Sequence, residues 1–120
     1  MLRRTKAQDD NLLRTLQHAG EMLRGARERL TGSAAAATGV RAEAASVVQQ
    51  LLGPDALILS QVDAATAVRL LGDAKRLALW IDALELEADA AEATHDNAAA
   101  ERLRMRARAL EAAGVRTTGS

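Results

Sequence analysis

Glu92-Ala93-Thr94-His95 is a Glu-x-x-His motif. That spacing puts two metal ligands on one helix face, as in bundles that hold a di-iron carboxylate centre. Such a centre needs two copies of the pair and two further carboxylates. The chain holds one copy, so a metal site would have to be completed across a dimer, with Glu85 or Asp89 supplying the remaining ligands. His18 stands three residues before Glu21, in the reverse order, at a position expected to face solvent. Two histidines and no nucleophile in a distinctive turn leave no Ser-His-Asp set to nominate. The glycines are scattered at helix ends, not gathered in a phosphate loop or dinucleotide fingerprint. Arg102, Arg104, Arg106 and Arg108 offer cations for phosphate, but no aromatic residue accompanies them for stacking. They read better as salt-bridged. With no Cys, disulfides, Cys-based zinc sites and thiol catalysis are impossible. Neither catalysis nor a cofactor is expected.

The scaffold that carries these residues is set by composition. Of 120 residues, 28 are Ala and 18 Leu, while Val and Ile together number eight and Trp80 is the sole aromatic. Strands have little to be made from, and the helix formers dominate. An all-α protein is expected, a four- to five-helix bundle in a single domain over residues 1–114. No apolar run approaches a membrane span. Met1-Leu2-Arg3-Arg4 is followed by Asp9-Asp10 where a signal peptide would be apolar, so a cytoplasmic location is expected. The 16 basic and 16 acidic residues cancel but segregate: a net of +4 over 1–42, −8 over 43–101 and +4 over 102–120. Zero net charge argues against nucleic-acid binding. The segregation predicts self-complementary pairing of basic ends with an acidic middle.

Apolar spacing places five helices, at about 8–30, 34–52, 61–71, 74–94 and 97–113. Leu12, Leu16, Ala19, Leu23, Ala26 and Leu30 form a heptad seam on the first, which ends at Thr31-Gly32-Ser33. Ser33–Ala45 reads either as the start of the second helix or as a loosely ordered loop, and Gly53-Pro54 ends that helix. Ala56–Leu59 is a turn of helix or a packed connector. Ser60 is expected to cap the third helix with Asp63 in a capping-box role, and Gly72 to stop it. Asp73 caps the fourth. That helix bears two apolar stripes, one through Leu77, Trp80, Ile81, Leu84, Ala88 and Ala91, the other through Leu79, Ala83, Leu86 and Ala90. Trp80 and Leu84 are expected in the core. Gly114 is the expected stop of the last helix, and 115–120 a frayed tail.

Leu84–Leu110 resembles one helical hairpin of a tetratricopeptide repeat. Leu84, Ala88 and Ala91 match the packing positions of its first helix, Asp96 the turn acid, and Ala100 and Ala107 the small residues of its second. His95 stands where that turn has Gly, Arg104 where an aromatic is common, and no terminal Pro follows. The resemblance covers 27 of 120 residues without a second copy. It implies a helical hairpin of a type that binds proteins. The order of elements is also similar to a family of small all-helical bacterial proteins of unknown function, a resemblance that brings no active site.

The function expected from these features is protein–protein interaction or scaffolding by a self-associating bundle. A chain this short has room for one core, yet it offers a seam and two stripes. The surplus, Leu12, Leu16, Leu23, Leu30, Leu79 and Leu86, is the expected interaction surface of a two-fold homodimer or a contact for another protein. The alternative is a small metal-binding protein with Glu92, His95, Glu85 and Asp89 as ligands.

Overall fold

A computed structural model describes residues 6–30 and 33–118. It is all-α: α1 Lys6–Arg29, α2 Ala34–Leu52, α3 Ala56–Gln61, α4 Ala64–Leu71, α5 Ala74–Ala93 and α6 Asn97–Thr118, with a 3-10 turn at Gly53–Asp55 and no strand among the described residues. The extents are 47 × 28 × 25 Å. Helix α5 is the hub, with α1 and α2 packed on one side and α6 on the other; α4 lies on α6, and α3 joins α2 to α4.

Short polar side chains open four of these helices. Ser33 Oγ accepts from the Ala36 amide (3.4 Å) at the start of α2, which is helical from Ala34 and leaves no loop at 34–45. Asp73 accepts from the Arg76 amide (2.9 Å) at α5, and Asp96 from the Ala99 amide (3.3 Å) at α6. At α4 the cap is Asp63, whose carboxylate takes the Thr66 amide (3.1 Å) and the Thr66 hydroxyl (2.6 Å). Ser60, the expected cap, instead sits inside α3 and donates back to the Ala56 carbonyl (2.7 Å). The expected 61–71 helix therefore begins at Ala64, and Ala56–Leu59, expected as a turn of helix or a packed connector, opens α3: a serine that bonds backwards does not start a helix, and a carboxylate accepting two donors from Thr66 does. Of the expected Thr31-Gly32-Ser33 stop, Thr31 and Gly32 lie outside the described residues, as do Met1–Arg4.

The α5–α6 turn is a Schellman closure. The Asp96 amide donates to the Ala91 carbonyl (2.9 Å) and the His95 amide to the Glu92 carbonyl (2.9 Å). His95 takes the left-handed position with φ 65, where glycine is usual.

Helix α6 does not stop at Gly114 but continues to Thr118, so 115–118 are helical and only 119–120 of the expected tail fall outside the described residues. Contact explains the glycine. A Cβ at position 114 would lie 2.7 Å from Leu77 Cδ2, so α6 passes α5 at a distance only glycine permits without a shift.

The core is aliphatic. Leu51, Leu52, Leu86, Leu110, Val40 and Val47 are its largest fully buried side chains, and Trp80 and Leu84 lie in it as expected. A smaller cluster of Ala88, Ala91, Ala99 and Ala100 closes the hairpin near its turn. Two results test this account. Leu86→Ala, at a site with 0% exposure, is expected to cost about 2–5 kcal/mol in a urea titration. His95→Gly is expected to raise stability by about 0.5–1 kcal/mol, because glycine relieves the left-handed backbone; a loss of stability would contradict the assigned turn.

Candidate interaction crevice

Of the six leucines expected on an interaction surface, packing within the chain takes up three fully and three in part. Leu16, Leu23 and Leu86 are core residues, and Leu12, Leu30 and Leu79 are partly buried against the same core. The reason is geometric: α1 packs on α2 and α5, so the seam of one helix and the second stripe of another cover each other. Gly20 of α1 lies beneath the Leu79 side chain.

The proposed metal ligands do not converge either. Arg104 of α6 donates to both Asp89 (2.9 Å) and Glu92, and Arg27 of α1 stands 3.7 Å from both Asp82 and Asp89. His95 is exposed in the turn. No group of three or more metal-binding side chains is present among the described residues. The acidic face of α5 is flanked by two basic helices, so guanidinium groups stand where a cation would. Pairing of basic ends with the acidic middle is thus made within one chain, joined by Arg29–Glu43 and by Arg41–Asp96 (3.0 Å).

The arginines of α6 divide in the same way. Arg106 donates to the carbonyls of Leu59 (2.9 Å) and Val62 (2.8 Å), and its guanidinium lies 5.8 Å from the centre of the Trp80 ring. Burial lowers its pKa, with Asp63 opposing. Arg102 and Arg108 are exposed, as is His18 on α1.

A crevice lies open between the N-terminal half of α5 and the C-terminal half of α6. It has a volume of about 660 Å³ and an apolar floor of Val68, Leu77, Ala78 and Ile81, with Gly114 and Val115 on the α6 side. Small residues shape it: Ala74 and Ala78 line it without filling it, and Gly114 lets α6 close on Leu77 at its edge. Val115 projects from the lip, 63% exposed. Arg69 and Glu111 line the rim with Asp73, which is occupied as the cap of α5. Among the described residues, Arg69 donates only to Thr66 Oγ1 (3.3 Å), and Glu111 has no ion pair. Glu85, Asp89, Arg104 and Arg108 line a charged pocket of about 250 Å³ between the same two helices.

No family model, curated protein or solved structure matches this chain.

Leu77 and Ile81 belong to the first apolar stripe of the fourth expected helix, but nothing in the sequence singles out the crevice as a whole. The signal was weak: Ala74 and Ala78 fall on the arc of α5 between Ile81 and Asp82, and reading Gly114 as a stop removed Val115 from the helix. Exposed apolar side chains also occur where Ile58 of α3 and Leu70 of α4 line a smaller cavity of about 190 Å³.

Titration behaviour follows local contacts. The Thr66 hydroxyl and amide hold Asp63 below its ordinary pKa, and the Ala99 amide, then Arg41, do the same for Asp96. Glu87 on α5 is different. Half-buried, it is pushed up by desolvation, and the nearby charge of Arg41 only partly offsets this. An acid whose pKa rises on folding holds its proton more tightly in the folded chain. Its contribution to stability is therefore greatest below the unfolded pKa and declines as pH climbs through the raised folded value. Glu87→Gln is accordingly expected to be more stable than the parent at neutral pH, with the difference closing on acidification. Urea titrations of both proteins across the acid range check this; a parent more stable at neutral pH would contradict it.

Proposed function

We propose that this protein is a cytoplasmic, non-enzymatic interaction module, a helical scaffold that receives the apolar face of a helix from another protein chain in the α5–α6 crevice. The observation that carries the reading is the crevice itself: an open apolar floor between two helices, on a chain whose other large apolar side chains mostly pack inward. Helix-in-groove recognition lays the apolar side chains of an incoming helix into an apolar groove between helices, and Leu77, Ala78 and Ile81 give the crevice such a floor. The resemblance of Leu84–Leu110 to a tetratricopeptide hairpin, a protein-binding unit, supports the same reading.

Ala78 is exposed, so a charge placed there enters the crevice without entering the core. Affinity capture from the native host with the parent chain and with Ala78→Glu as baits tests the proposal. The expected result is at least one protein retained by the parent and lost by the variant. Identical captures from the two baits would overturn it.

A further inference from the structure

We infer that the chain received by the crevice is a second copy of this protein, related by a two-fold axis, with Val115 of each copy entering the other's crevice over Leu77, Ala78 and Ile81. The inference rests on the interaction reading above and names its partner. An isologous contact needs one surface that is complementary to itself. This surface carries both halves of a fit, a projecting apolar side chain at Val115 and a depression left by small residues beside it. Its rim is also self-complementary. Arg69 on α4 and Glu111 on α6 carry opposite charges, and neither has an ion pair among the described residues. A two-fold axis through the crevice sets Arg69 of each copy against Glu111 of the other, forming the pair twice. A foreign helix would have to bring a matching acid and base in the same register. A net charge of zero removes the long-range repulsion that keeps like copies of a charged protein apart.

Sedimentation equilibrium on the full chain tests this. The expected parent is a dimer at micromolar concentration. Ala78→Glu buries two like charges at the axis and is expected to weaken dimerisation by more than about a hundredfold. Arg69→Glu or Glu111→Arg alone, at exposed positions that leave the core untouched, is expected to weaken it by about tenfold, because each change sets like charges against each other twice. The double variant Arg69→Glu/Glu111→Arg rebuilds the pairs reversed and is expected to return to within about threefold of the parent. Circular dichroism of each variant confirms that helix content is kept. A parent that stays monomeric to about 100 μM, a dimer indifferent to Ala78→Glu, or a double swap no better than the singles would each overturn the inference. A monomeric parent that still captures a foreign protein, dependent on Ala78, overturns the second copy alone; captures independent of Ala78 overturn the interaction reading.

Discussion

Alanine packing against alanine is the contact on which the rest of this fold depends. With one aromatic residue in the chain, bulky side chains cannot fill the spaces between helices, so the helices must come close together. Ala83, Ala88, Ala90 and Ala91 on α5 have 0% exposure, and Ala99, Ala100 and Ala107 on α6 no more than 2%. Alanine suits this role because it loses no side-chain entropy in a helix and keeps interhelical distances short. Each contact buries little apolar area, however, so the aliphatic residues at either end of the hairpin, Leu84, Leu86 and Leu110, carry much of the burial. Close approach also fixes where the surface opens. Toward the open end of the hairpin, Ala74 and Ala78 leave the crevice uncovered.

Guanidinium groups supply the order that a thin core does not. Arg76 donates through Nε (3.0 Å) and Nη2 (2.6 Å) to the Leu51 carbonyl, near the end of α2. Arg106 does the same for the end of α3. These are helix-terminal carbonyls without an intrahelical donor, and unpaired they would be costly to cover. Other arginines reach across helices to carboxylates, each exposed pair worth little. Together they decide which helix lies beside which, setting basic α1 and α6 along the acidic edge of α5.

Much of the fold is legible in the sequence because its signals are local. The spacing of Ala37, Val40, Ala44, Val47 and Leu51 places α2 with its observed bounds, and Asp73 and Gly72 mark where α4 gives way to α5. Periodicity shows which side chains face inward. It does not show what covers them, so the seam through Leu16 and Leu23 reads as surplus surface until α1 is seen lying along α5. Gly114 misleads for a related reason: a glycine reads as a stop unless the side chain pressed against it, Leu77, is known. The crevice is the least legible feature of all. Its floor belongs to α5 and α4, its lip to α6, and only tertiary packing brings them together.

Arg106 has a consequence for the order in which the molecule is built. Its partners, Leu59 and Val62, precede it by 47 and 44 residues, and α4 packs chiefly on α6. During synthesis the α3–α4 corner therefore leaves the ribosome long before the helix that anchors it. Until α6 emerges, α4 lacks the helix on which it chiefly packs and the face of Trp80 lacks its guanidinium. The amino-terminal helices can collapse on α5 as they appear, but the corner waits for the last helix of the chain.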